Sequence, residues 1–185
     1  MNKDFLIELI RNNDFDAGQI HEIAKGIIDD GLSKEQVKLY AKPVFYSWQM
    51  NQIRLGLKRG LSIEQVKLYA DPKFSNDQMY HIFLGLKSGL TIEEVKLYIN
   101  PKFSVAQMIE IRWGLQDLSI EQVALYADPK FGNRQMEQIR LGLETGLSKK
   151  QIELYADPKF DWIEMEQMRL VLEKKKNREA KYGDE

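Results

Sequence analysis

The sequence predicts an all-α protein, an α-solenoid of about six two-helix repeats with a proline-containing corner in each. Three observations carry this. The five prolines, Pro43, Pro72, Pro101, Pro129 and Pro158, are spaced 29, 29, 28 and 29 residues apart. Each sits in one heptapeptide: LYADPKF at 68–74, 125–131 and 154–160, with the variants LYAKPVF at 39–45 and LYINPKF at 97–103. Helix-start signals then recur twice per period. A fixed period in this range marks a repeat array.

One unit, LSIEQVKLYADPKFSNDQMYHIFLGLKSG at 61–89, shows the order of elements. Ser62 and Gln65 form a capping box that opens the first helix, as do Ser33/Gln36, Thr91/Glu94, Ser119/Gln122 and Ser148/Gln151. The proline lacks an N–H and disfavours helical geometry in the residue before it, so this helix is expected to end near Ala70–Asp71. Asp-Pro starts a tight turn, and Phe74 is expected to plug the corner. A second box (Ser75/Gln78, Ser104/Gln107, Asp161/Glu164) opens the second helix, which runs to a terminal left-handed glycine at Gly60, Gly89 or Gly146. A divergent copy precedes these, its Phe15, Gln19, Ile20, Ile23 and Gly26 aligning with Phe74, Gln78, Met79, Ile82 and Gly85. The organisation expected is a divergent repeat or cap over 1–31, five repeats over 32–172, and a charged helix end and tail over 173–185.

Recurring apolar positions (Val66, Leu68, Tyr69, Phe74, Met79, Ile82, Leu86) read as core. Gly56, Gly85, Gly114 and Gly142 lie inside the second helices at a cost of about 1 kcal/mol each relative to Ala, which predicts close approach of adjacent helices. First helices of about two turns cannot persist alone. Stability is therefore expected from the stacking of neighbouring units.

Composition narrows the function. With 43% hydrophobic and 30% charged residues the chain reads as a folded soluble protein, and its net charge of −1 gives no general attraction to nucleic acid or acidic lipid. The absence of Cys removes disulfides and thiol chemistry, and no apolar run approaches a membrane span, so a cytoplasmic protein without membrane association is expected. His21 and His81 stand alone without ligand spacing, no glycine-rich phosphate loop occurs, and the acidic residues belong to caps or exposed faces. We therefore expect no enzyme, no metal and no cofactor.

The columns that change between repeats indicate where binding would occur. They are the triplets Ser47/Asn51/Arg54, Asn76/Tyr80/Phe83, Val105/Ile109/Arg112, Asn133/Glu137/Arg140 and Trp162/Glu166/Arg169, with the adjoining column Trp48, Asp77, Ala106, Arg134, Ile163. Spacings of i, i+4, i+7 place each triplet on one helix face. Large apolar residues in columns that elsewhere accept charge form a candidate partner surface. The leading expectation is a protein partner held by Trp48, Tyr80, Phe83, Ile109 and Trp113, with Arg112 as a polar contact. The alternative is binding of nucleic acid or nucleoprotein through the repeat at 32–60. That repeat carries Lys34, Lys38, Lys42, Arg54, Lys58 and Arg59 against Glu35 alone, a net +5, whereas 1–31 is net −4. A third reading is a structural homo-oligomer, such as a homodimer, through Trp162 and Ile163.

The unit GLSIEQVKLYADPKFSNDQMYHIFLGLKSG resembles a repeat of proteins from gut-dwelling Firmicutes and their phages and conjugative elements, whose copies read GLS-x-EQV-x-LYADPKF-x-x-x-QM-x-x-IR-x-GL. The likeness covers 32 to about 172. It implies a mobile-element or phage origin, and with it an adaptor or an inhibitor of a host complex such as a defence system, in the manner of an anti-CRISPR. A weaker architectural likeness is to the mitochondrial transcription termination factor repeat, which has Leu-Ser before one helix and a proline between helices.

Overall fold

The computed structural model describes residues 2–182, and every described element is helical. The chain divides into two compact units, Met1–Ile92 and Glu93–Glu185. The first contains α1 (Asn2–Arg11), α2 (Ala17–Ile28), α3 (Lys34–Tyr40), α4 (Ser47–Lys58), α5 (Ile63–Lys67) and α6 (Asn76–Lys87). Here α1 packs on α2, α2 on α4 and α4 on α6, while α3 touches both α2 and α4 and α5 lies against α4. The second contains α7 (Ile92–Lys96, which begins at the boundary), α8 (Val105–Asp117), α9 (Ile120–Val123), α10 (Asn133–Glu144), α11 (Lys149–Glu153) and α12 (Trp162–Tyr182). There α8 packs on α10 and α10 on α12, with α9 against α8 and α11 against α10. In each unit successive long helices pack on one another; α3 touches two of them, whereas α5, α9 and α11 each lie against the long helix before them.

The caps at Ser33, Ser62, Ser75, Ser104, Ser119, Ser148 and Asp161 form as the sequence predicts. Ser62 Oγ accepts from Gln65 N at 3.1 Å while Gln65 Oε1 accepts from Ser62 N at 2.9 Å. Such a cap is worth about 1 kcal/mol. Asp16/Gln19 makes a further box at the head of α2. Apart from α3, which runs to Tyr40 as expected, the first helices are shorter than expected. α5 ends at Lys67 because Leu68 N and Tyr69 N turn to the carbonyls of Gln65 and Val66, three residues back. The chain tightens before the proline rather than at it.

At the corner, Phe74 N bonds Asp71 O at 3.1 Å and Lys73 N bonds Asp71 Oδ1 at 2.9 Å. The same Asx turn holds at Asn100, Asp128 and Asp157. In LYAKPVF, Lys42 supplies only the backbone half, Phe45 N to Lys42 O at 3.1 Å. The long helices end as expected where φ turns positive, at Gly60 (89°), Gly89 (98°) and Gly146 (78°). The single 28-residue interval has its cause here too. α8 closes without such a glycine, Leu118 N bonding Gly114 O at 2.8 Å in extended backbone.

The close approach expected at the helical glycines is real, but a side chain makes it. A Cβ at Gly26, Gly56, Gly114 or Gly142 would overlap the hydroxyl of Tyr40, Tyr69, Tyr126 or Tyr155, each from the following short helix or the turn that ends it. These tyrosines, with Tyr98, are fully buried, and burial raises every one of their phenol pKa values.

Joints between repeats and the exposed variable face

A glutamine recurs at the third position of the long helices, and it does two things. Its Oε1 caps its own helix, and its Nε2 reaches the corner of the next repeat. Gln49 Nε2 donates to Pro72 O at 3.0 Å and Phe74 O at 2.7 Å; Gln107 reaches Pro129 O at 3.2 Å and Phe131 O at 2.6 Å. Gln19 and Gln135 make the same pair of bonds to Pro43/Phe45 and Pro158/Phe160. Corner and glutamine are therefore two halves of one joint. The constancy of the heptapeptide has its reason in that joint as well as in the turn.

A second joint neutralises most of the arginine column. Arg54 Nε donates to Glu22 Oε2 at 2.8 Å and its Nη1 pairs with Asp30, which Lys58 also contacts at 2.8 Å. Burial pushes the Asp30 carboxyl up, but hydrogen bonds from Lys58 and Arg54 outweigh this and hold it below the ordinary range. Arg140 meets Glu110 at 3.0 Å and Glu144 at 2.7 Å; Arg169 meets Gln138 at 3.1 Å and Glu173 at 2.8 Å. Each arginine thus reads an acceptor on the preceding long helix. Between Arg54 and Arg112 the same column holds Phe83 instead of arginine.

These joints correct two expectations. Arg54 is 3% exposed and fully ion-paired, so it is not available to phosphates. Releasing a buried ion pair costs several kcal/mol. Phe83 is also 3% exposed, with the Arg59 guanidinium 5.2 Å above its ring, so it supports the surface from beneath rather than belonging to it. The other basic residues of that repeat, Lys34, Lys38, Lys42, Lys58 and Arg59, are exposed, though Lys34 lies 5.1 Å from the Phe5 ring and Lys58 is held by Asp30.

The remaining predicted residues fall on the surface of one unit or the other. In the first unit Trp48 is 43% exposed and stacks on Tyr46 at 5.2 Å and 12°; Tyr80 is 41% exposed and packs on Phe83 at 6.4 Å. Trp48 forms one wall of an open cleft of about 390 Å³ whose other walls carry His21, Glu22, Asn51, Gln52 and Asn76. Asn51 Nδ2 bonds the Glu22 carboxylate at 3.0 Å, so the negative charge in the floor is already matched by Asn51 and Arg54. Amide side chains beside a rigid indole can donate to and accept from a backbone while an apolar group rests on the ring. His21, Asn51, Gln52 and Asn76 were within reach of sequence reasoning, because they stand in or beside the varying columns.

In the second unit Trp113 is 45% exposed with the Arg140 guanidinium 5.7 Å from its ring. Ile109 and Arg112 are half-buried beside it, and Arg112 Nε has no hydrogen-bond partner among the described residues. Trp162 is half-buried under the Arg134 guanidinium at 4.7 Å, whereas Ile163 is exposed. Among the described residues no group of three His, Asp or Glu could hold a metal ion, and no helix is long and apolar enough to cross a membrane.

Compared with known proteins, the chain matches no family model, no curated protein and no solved structure.

Proposed function

We propose that this chain is a non-enzymatic binding scaffold, an α-solenoid that holds a protein partner on the varying face of its long helices. One observation carries the reading. The constant side chains are spent on joints between repeats, while Trp48 and Tyr80 stay exposed in columns that elsewhere hold polar or charged groups, and Trp113 is exposed in a column that otherwise holds Leu55, Leu84, Leu141 and Leu170. Exposed, braced aromatics at the centre of a polar rim are the usual anchors of a protein interface. The amide-lined cleft beside Trp48 suits a segment of polypeptide backbone. The resemblance to repeats of phages and conjugative elements supports an adaptor or inhibitor of a host complex, such as a defence system.

The test is a tagged capture from lysate of a gut Firmicute, divided into nuclease-treated and untreated halves, with wild type beside Trp48→Ser/Tyr80→Ser/Trp113→Ser. A discrete protein retained after nuclease by wild type and lost by the variant, at nearly unchanged melting temperature, is the expected result. Loss of all captured material on nuclease treatment would instead move binding to the exposed lysines of the 32–60 repeat. Phe83→Ser is the control: it should lower the melting temperature because the ring is buried.

A further inference from the structure

The last long helix presents, uncovered, the face that other long helices use to receive their successor. On α10 that face consists of Gln135, Ile139, Gly142 and Leu143. Gln135 Nε2 holds the next corner, Gly142 admits the Tyr155 hydroxyl, and Ile139 and Leu143 are buried. One period later the same positions of α12 are Glu164, Met168, Val171 and Leu172. Glu164 still caps its helix, accepting from Asp161 N at 2.8 Å, but a carboxylate has no N–H to offer a following corner. Val171 fills the notch that a following tyrosine would need. The face has lost both devices that accept a repeat, yet it stays apolar: Leu154, Met168, Val171 and Leu172 line an open groove of about 280 Å³, with Val171 68% exposed.

The sequence along this strip is self-complementary. Asp161, Glu164, Met168, Val171, Lys175 and Arg178 alternate at spacings of three and four, the pattern of a seam between two helices. Its head is acidic, its centre apolar and its tail basic. In an antiparallel pair with Met168 facing the partner's Val171, Glu164 faces the partner's Lys175 and Asp161 faces the partner's Arg178. Each contact occurs twice by the two-fold symmetry. Parallel pairing would set glutamate on glutamate and lysine on lysine. We infer that this strip is a self-association surface through which two copies of the chain pair antiparallel along α12. The loss of the glutamine and glycine devices prevents a second copy from docking its repeats there head to tail, which would propagate an open filament. The pairing closes at two.

A seam of this size belongs to the small, weak class of interfaces, so association in the micromolar range is expected. Light scattering on the full chain over rising concentration tests it. Wild type should approach twice the monomer mass, and Val171→Glu should stay monomeric with an unchanged melting temperature, since that side chain is exposed. Lys175→Glu alone should weaken association roughly tenfold by placing like charges in both layers that hold Glu164. Glu164→Lys should do the same, and an equimolar mixture of the two variants should regain the wild-type affinity. A wild type monomeric at every concentration, a Val171→Glu protein that still dimerises, or a mixture no tighter than its components would each overturn the proposal.

Discussion

The hydroxyl of Tyr126 occupies the space that a side chain on Gly114 would fill. Helix propensity alone favours Gly114→Ala by about 1 kcal/mol. Overpacking against a fixed aromatic costs about 1–3 kcal/mol, and here the added carbon meets an oxygen held by a fully buried ring. The clash wins. Gly114→Ala should lower the melting temperature, and Tyr126→Phe added to it should recover part of the loss. A melting temperature that rises in the single variant would show that the notch is not needed.

The five buried tyrosines are not equivalent. Tyr155 Oη donates to Gln138 O at 3.2 Å, whereas the Tyr69 hydroxyl has no hydrogen-bond partner among the described residues. A buried hydroxyl without a partner costs stability, and one with a partner contributes about 1 kcal/mol. Tyr69→Phe is therefore expected to be neutral or stabilising, and Tyr155→Phe destabilising by about 1 kcal/mol. Denaturant titration of the two variants checks the difference in sign.

Alkaline pH should unfold this protein steeply. Burial raises the phenol pKa of Tyr40 and Tyr69 in the first unit and of Tyr98, Tyr126 and Tyr155 in the second above the ordinary 10.0. A raised folded-state pKa means the unfolded chain loses its proton first. The stabilisation is thus complete below pH 10.0 and declines as pH rises from there toward the folded value. Each tyrosine contributes a slope of about 1.4 kcal/mol per pH unit in that window. Tyrosinate absorbance at 295 nm, roughly where the ionised phenol absorbs, should appear together with loss of helical circular dichroism. Ionisation ahead of unfolding would contradict the burial.

The glutamine joint can be tested by one change of atom. Gln107→Glu keeps the cap on α8 but removes the donor to Pro129 O and Phe131 O and sets a carboxylate against two carbonyl oxygens. A loss of about 2–3 kcal/mol is expected, since an interaction is lost and a charge is left poorly solvated. Glu164→Gln at the equivalent place on α12 should cost almost nothing, because among the described residues the Glu164 carboxylate only caps its own helix. Comparing the two melting curves separates the joint from the cap.

Much of this arrangement was legible in the sequence. Capping boxes, corner and left-handed glycines depend on residues within a few positions of one another, and their recurrence gives the period. The partners of the arginine column on the preceding helix were not legible, because Arg54, Arg140 and Arg169 reach Glu22, Glu110 and Gln138 about one repeat back in the chain. Comparison within a column shows that arginine recurs, but not what it faces. Reading across columns would have paired Glu22 with Arg54 and Glu110 with Arg140, and would have noticed that Phe83 departs from the series. The same blindness hid the second duty of the glutamines: a capping box explains Gln107 completely until its amide is followed into the next repeat. The exposure of Trp48 and Tyr80 was legible because their columns hold charged residues in other repeats, whereas the column of Trp113 otherwise holds Leu55, Leu84, Leu141 and Leu170.

Because Gln19 grips Pro43 and Phe45 just as Gln49 grips Pro72 and Phe74, the ends left by excising one whole period would still fit each other. A gene of near-identical segments lengthens and shortens by misaligned recombination, and most proteins are ruined by such an event. Here interchangeable joints would let a lineage change its number of repeats in a single step. The residues on the varying face would then be reshuffled into new orders faster than point substitution could rearrange them.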